Sequence, residues 1–419
     1  MIDKINKIKE ITNLYSEKKF HQAIDEAKKF IKKSDDWSIR NIHSASLMAL
    51  NQDNEAIESY KEAIIIYPDI PDLYNNLGAV YKKIGENKLA LKNYEKAIKL
   101  KNDYKDANLN VANVYQEIGE IQKAIIIYEK LIQNNNNDYV SLYNLGVAYL
   151  NINENDKALK IFQESNKIFP TPHTQNNIGL IFLKKNMTQE ALKSFSEAIK
   201  IDKTVLEPYL NIHKVLIDQG RNIESLNFTK KLIKEFPDNF MVHFCHGLSL
   251  EKNNYLTEAL ESYEKTITFN PQHINSFNNL ASIYARKRQT DKALKIYEMI
   301  KDQGFYNGDI AYNHANLLTK LGNKKEAGKI AEDFLKKDPT YTKMNNILAL
   351  TREMKNNNQK LQRLFEVHNE MENHLEDKIF LGFNIASILE KNGNYKLAAK
   401  YISDSNKNKF KKLSYDINK

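Results

Sequence analysis

Cysteine is all but missing from this chain. Its 419 residues hold one, Cys245, so no intrachain disulfide can form, and a reducing, cytoplasmic compartment is expected. Apolar runs of membrane length are missing too. Lys and Glu recur through Met1 to Phe20, so neither a membrane span nor a signal peptide is expected. Period-two runs of β-branched residues, the mark of strands, nowhere compete with apolar residues spaced three and four apart. The sequence has no H-E-x-x-H, no G-x-S-x-G and no dinucleotide fingerprint. One stretch, Gly322 to Lys329, imitates a phosphate loop. Five residues rather than four separate its glycines, however, and Ile330 stands where Ser or Thr would hold magnesium. No catalytic residue and no cofactor are therefore expected. Basic residues exceed acidic ones by only 62 to 53, a net charge of +9. Lys, Asn, Ile and Tyr are all abundant, which AT-rich coding produces unaided. With no dense Arg patch or interleaved aromatics, an acidic protein partner is expected rather than nucleic acid.

What the chain does have is a period. With Pro71 as the first residue of a repeat, equivalent residues are Lys4, Trp37, Lys105, Tyr139, Pro172, Leu206, Phe240, Ile274 and Gly308, spaced 33 or 34 apart. Within the repeat from Pro71, Tyr74, Leu77, Gly78 and Tyr81 are followed by Ala90, Tyr94 and Ala97. The repeat from Tyr139 reads Leu142, Leu145, Gly146, Tyr149, Ala158, Phe162, and that from Ile274 reads Phe277, Leu280, Ala281, Tyr284, Ala293, Tyr297. Each repeat is expected to form two helices. Gly85, Gly119, Gly220, Gly322 and Gly393 fall at the turn between them, where easy positive φ closes the first helix. Pro68, Pro170, Pro237, Pro271 and Pro339 stop the second. Gly78, Gly146, Gly179 and Gly247, at the eighth place, are set against alanines of the twentieth, Ala90, Ala158, Ala191 and Ala259, so that the helix axes approach closely.

This pattern resembles the tetratricopeptide repeat. The resemblance implies an all-α fold, a right-handed alpha-alpha superhelix, because no single repeat can bury its apolar face alone. The array spans 4–341, about ten repeats; a divergent helical hairpin follows over 342–378, a final repeat over 379–412 and a tail over 413–419. Leu348, Leu350, Leu361, Leu364 and Val367 are the expected buried residues of the hairpin. His213, His243, Cys245 and His246 lie near one another in sequence, but their spacing fits no closed zinc set. His246 shares the seventh place, normally Leu or Ile, with His43 and His314, so these read as core residues and no metal is expected.

The most function-bearing column is the sixth place: Asn76, Asn110, Asn144, Asn177, Asn211, Cys245, Asn279 and Asn313, rejoined by Asn384. Asn can bond both the C=O and the N–H of an extended peptide without reading its side chains. The column is similar to the asparagine ladder of the O-linked N-acetylglucosamine transferases, which implies a concave groove for protein segments; Asn is also common at this place in such repeats. Lys83, Lys184, Lys252, Arg286 and Lys320 share the thirteenth place, interrupted by Glu117, Asn151 and Asp218. They could steer an acidic peptide, or offset the macrodipole at the end of the first helix.

The C-terminal part resembles the repeat region that precedes the catalytic domain in bacterial fusions of tetratricopeptide repeats to a sulfotransferase. The matching residues are Leu381, Gly382, Gly393, Asn394, Tyr395, Asn406, Tyr415 and Asp416, with Phe383 where that family often has Lys. In such fusions the domain that holds the sulfonate donor comes next, beyond Lys419. Two functions are thus expected: a non-catalytic scaffold that binds extended peptides, or the substrate-recognition arm of a transferase acting on protein or glycan, with a separate catalytic subunit as partner.

Overall fold

The computed structural model describes residues 2–338, 341–351, 359–370 and 375–417, and among these it contains helices and no strand. The expected period is met almost to the residue. The helices α1 (Ile2–Ser16), α2 (Phe20–Lys33), α3 (Trp37–Ala49), α4 (Asp53–Ile66), α5 (Pro71–Lys83) and α6 (Asn87–Leu100) form the first three hairpins. Next come α7 (Lys105–Glu117), α8 (Ile121–Asn134), α9 (Tyr139–Asn151), α10 (Asn155–Ile168), α11 (Pro172–Lys184) and α12 (Thr188–Ile201). Then follow α13 (Glu207–Asp218), α14 (Asn222–Glu235), α15 (Phe240–Lys252), α16 (Leu256–Phe269), α17 (Ile274–Arg286) and α18 (Thr290–Asp302). The last six are α19 (Gly308–Lys320), α20 (Lys324–Leu335), α21 (Thr342–Thr351), α22 (Gln359–Glu370), α23 (Leu375–Lys391) and α24 (Tyr395–Ile417). The chain divides into two compact units, residues 1–215 and 216–419. Each is an α solenoid in which every hairpin packs on the next, as one-dimensional repeat stacking requires.

One backbone torsion sets the hairpin. At the fifteenth place the chain turns with positive φ, between 59° and 85° across the array. Gly85, Gly119, Gly220 and Gly322 adopt it without strain, as expected. The same conformation is held by Asn51, Asn153, Asn186 and Asn254, the non-glycine type that tolerates it best, and by Lys18 and Arg288. Pro68, Pro170, Pro237 and Pro271 each follow the end of a second helix; Pro339 lies outside the described residues.

The core repeats as regularly, with one correction to the sequence reading. The glycines of the eighth place are covered not by the twentieth-place alanines but by the ring of the twenty-fourth place on the second helix. A Cβ built on Gly78, Gly146, Gly179 or Gly247 would come within 2.7, 2.7, 2.5 and 2.6 Å of Tyr94, Phe162, Phe195 and Tyr263 respectively. The alanines are fully buried beside this contact. All seven rings of the column, Tyr60, Tyr94, Tyr128, Phe162, Phe195, Tyr263 and Tyr297, are out of solvent, each worth roughly 1.5–3 kcal/mol of apolar burial.

The divergent hairpin buries Leu348, Leu361, Leu364 and Val367 as expected, whereas Leu350 is 52% exposed. At about 100° per residue it stands about 200° around α21 from Leu348, facing away from the buried row of Met344 and Leu348. Helix α24 runs on to Ile417, through the positions of Tyr415 and Asp416; Lys419 lies outside the described residues.

Histidines take ordinary core places. His314 is buried, stacks on Tyr297 with centroids 5.2 Å apart, and bonds the Tyr306 hydroxyl through Nδ1 at 2.8 Å. His43 Nδ1 meets Ser59 Oγ at 2.8 Å. Burial holds both imidazoles down to about 4, and pushes His273 and His368 down as well.

Two outcomes are expected. Gly146→Ala gains up to about 1 kcal/mol of helix propensity but drives a methyl into the Phe162 ring, an overpacking cost of about 1–3 kcal/mol. The variant should therefore melt below wild type, and adding Phe162→Leu should recover part of the loss, although Phe162→Leu alone destabilises. Acid should also weaken the fold. Unfolded imidazoles take up protons near pH 6.5 and the folded ones resist until about 4, so stability falls as pH drops through that window. Urea midpoints at pH 7.5 and 5 measure this, and His43→Gln with His314→Gln should flatten the difference.

Candidate peptide-binding face

The sixth place lies on the first helix of each hairpin, and all eight of its asparagines are half-buried. They are not free amides. Asn76 Nδ2 donates to Asn41 Oδ1 at 2.8 Å, Asn110 Nδ2 to Asn75 Oδ1 at 3.0 Å, and Asn211 Nδ2 to Asn176 Oδ1 at 2.7 Å. In the C-terminal unit Asn313 Nδ2 donates to Asn278 Oδ1 and Asn384 Nδ2 to Asn346 Oδ1, both at 3.0 Å. Each acceptor stands at the fifth place of the preceding hairpin. Asn177 Nδ2 reaches the fifth-place Tyr143 hydroxyl at 3.4 Å, and Asn144 Nδ2 departs from the rule by donating to Asn113 Oδ1 at 3.2 Å. Asn75 Nδ2 also donates to Asn76 Oδ1 at 3.1 Å, so an unbroken relay of amides runs from α7 through α5 to α3. Seven of the sixth-place amides, all but Asn279, are thus joints between hairpins, fixed in orientation by the hairpin before.

Sequence reasoning missed two contributors to this face. One is the fifth-place column itself, visible as Asn41, Asn75, Asn176 and Asn278. The other is the hydroxyl of the twenty-fourth-place tyrosine at Tyr128 and Tyr263, which passes over the small eighth-place residue and emerges among first-helix polar groups. Tyr128 Oη donates to Asn113 Oδ1 at 2.7 Å, with Gln116 Oε1 at 3.3 Å, and Tyr263 Oη donates to Glu251 Oε2 at 3.0 Å. Burial drives these phenols well above their usual range, so they act only as neutral donors.

Around Asn113 the face opens into a recess of about 430 Å³, lined by Lys82 of α5, Asn113, Gln116 and Glu117 of α7, and Asn144 and Asn151 of α9. Lys82 and Glu117 pair across it at 2.8 Å. The recess therefore presents amide donors and acceptors within reach of one another, with its opposite charges already balanced. Further along the same unit the first helices turn apolar: Val147 and Leu150 on α9, and Leu180 and Leu183 on α11, pack half-buried against the core. Cys245, which replaces Asn in the column, is buried, and burial pushes its thiol up to about 12, which removes it as a nucleophile at neutral pH.

The thirteenth-place cations also serve as joints. Lys83 Nζ bonds Met48 O and Asn51 Oδ1 at 2.9 Å and Asp53 Oδ1 at 2.7 Å, grasping the turn of the preceding hairpin. Arg286 reaches Glu251 at 3.2 Å and Asn254 at 3.3 Å, and Lys184 reaches Asn155 at 3.5 Å. Lys252 and Lys320 are exposed and make no ion pair among the described residues. His243 Nε2 meets Pro237 O at 2.7 Å and His246 Nδ1 meets Thr229 Oγ1 at 3.0 Å, while His213 is buried. Among the described residues no group of three His, Cys, Asp or Glu side chains is placed to hold a metal ion.

Family models of the tetratricopeptide repeat match residues 71–104, 106–138, 127–160, 172–205 and 262–295, and a TPR repeat model matches 46–85. The matches from Pro71 and Pro172 begin on the first residues of α5 and α11, so the chain carries tetratricopeptide repeats in the register described above. A comparison with curated proteins found no match. Similar solved structures include MamA, with 25% identity over 38% of this chain and 95% of that one at a TM-score of 0.36. A tetratricopeptide repeat protein from Parabacteroides merdae ATCC 43184 has 16% identity over 59% and 98%, with a TM-score of 0.46. Yeast Tom70 has 16% identity over 98% and 96%, with a TM-score of 0.45.

Proposed function

We propose that the chain is a protein-interaction scaffold, and that the first-helix face of its N-terminal unit holds an extended segment of a partner protein. The observation that carries this reading is the recess beside Asn144, where side-chain amides from successive helices are already oriented. Asn offers two donors and one carbonyl with two lone pairs. The bonds between hairpins use part of that capacity, and the remainder suits the alternating N–H and C=O groups of a peptide in β conformation. Because orientation is fixed before binding, little side-chain entropy is lost on engagement. Val147, Leu150, Leu180 and Leu183 give the peptide's side chains apolar surface beside the amides, which favours breadth over a single sequence. If the partner were the substrate of a separate catalytic subunit, as the sulfotransferase-like C-terminal pattern would have it, the same face would present that substrate.

The test uses peptides selected on the wild-type chain from a random display library. Asn144→Ala, Asn177→Ala and Asn211→Ala together should weaken their binding by about 10- to 1000-fold, at roughly 0.5–1.5 kcal/mol for each lost hydrogen bond. The same variant should show a lower melting midpoint, since each amide also joins two hairpins, so affinity is compared at a temperature where both proteins are folded. Should it bind as wild type, while Lys83→Gln with Lys184→Gln loses affinity and salt dependence, the face is an electrostatic one and the amide reading fails.

A further inference from the structure

A second cavity, of about 820 Å³, lies in the C-terminal unit between α18 and α20, on second helices rather than first. Its floor is Tyr306, Ile330 and Phe334, and four lysines surround it: Lys301, Lys325, Lys329 and Lys337. Lys325, Lys329 and Asp333 follow one another at four-residue steps along α20, with Lys337 one step further, just past the end of the helix. The like charges of Lys325 and Lys329 repel, and Asp333 is the acid set among them. Elsewhere in the chain lysines commonly find carboxylates, as Lys82, Lys83 and Lys343 do. Here none of the four makes an ion pair or hydrogen bond among the described residues. The two acids of the lining are engaged with other groups: Asp333 accepts from Lys336 Nζ at 2.7 Å, and Glu326 accepts from Asn323 Nδ2 at 2.7 Å. Phe305, next to the floor residue Tyr306, stands 48% exposed. The site therefore joins an excess of positive charge, four lysines against Asp333 and Glu326, to a lining that includes the partly buried rings of Tyr306 and Phe334.

We infer that this cavity docks an acidic peptide segment of a partner protein, with one apolar side chain of that segment on Tyr306 and Phe334 and its carboxylates against the four lysines. Charge complementarity names the partner's sign, and the spacing of the lysines favours charges distributed along a chain over a single compact anion. The inference is independent of the amide face, which lies in the other unit.

The test is fluorescence anisotropy with a short labelled peptide of Asp and Glu around one central Phe, added to the full chain. Replacing Lys301, Lys325, Lys329 and Lys337 by Gln should weaken binding about tenfold or more and flatten its salt dependence. Replacing four other exposed, unpaired lysines, Lys88, Lys92, Lys99 and Lys167, should leave it within about twofold. Changing the peptide's Phe to Ser should weaken binding to the wild type and not to the cavity variant. Equal losses in the two lysine variants would show a diffuse charge effect and overturn the inference. So would ATP or a single-stranded oligonucleotide displacing the peptide at concentrations well below the peptide's own.

Discussion

Everything else in the architecture depends on an aromatic ring lying against a helix backbone that has no side chain there to hold it off. At four places that backbone is glycine, and the ring sits closer than any Cβ would permit. Close approach brings the two helices of a hairpin together over a fully buried ring. Stacking of one hairpin on the next then buries what a single pair leaves open, the condition on which repeat proteins are built. Where the eighth place carries Ala instead, as at Ala112 and Ala281, that residue is fully buried as well.

The ring has a second effect, because in most of these repeats it is tyrosine. At Tyr128 and Tyr263 its hydroxyl passes beyond the hairpin interior and joins the polar groups of the first helices, so there the same side chain serves both packing and surface. The amides that such a surface needs for recognition are also those that join hairpin to hairpin. A network shared in this way is rigid, and rigidity suits the proposed engagement of an extended backbone without rearrangement. The basic column is divided similarly: Lys83 and Arg286 hold turns of the preceding hairpin, while Lys252 and Lys320 remain in solvent.

Much of this was legible in the sequence because a period averages out local ambiguity. Trp37, Pro71, Lys105, Tyr139, Pro172, Phe240, Ile274 and Gly308 each begin a helix where the spacing placed them, and Glu207 begins one residue after Leu206. The sixth-place asparagines were legible as a column but not as joints, since the partner of Asn211 is 35 residues away and a hydrogen bond across hairpins leaves no mark on local pattern. The glycine contact was assigned to the wrong neighbour for a related reason. Small residues at the eighth and twentieth places suggest a mutual fit, whereas the geometry leans the ring of the next turn across the gap. Leu350 was misplaced because the divergent hairpin lacks the repeat signature, leaving only single-helix periodicity to fix its facing.

The sixth-place amide bonds between hairpins described above share one direction: the donor belongs to the later hairpin and the acceptor to the earlier one. A chain made on the ribosome emerges from its N-terminus, and early segments can fold before late ones exist. Each hairpin that carries such a bond therefore brings its amide N–H to an oxygen already in place. The ladder thus gives the array a polarity that matches the order of its own synthesis.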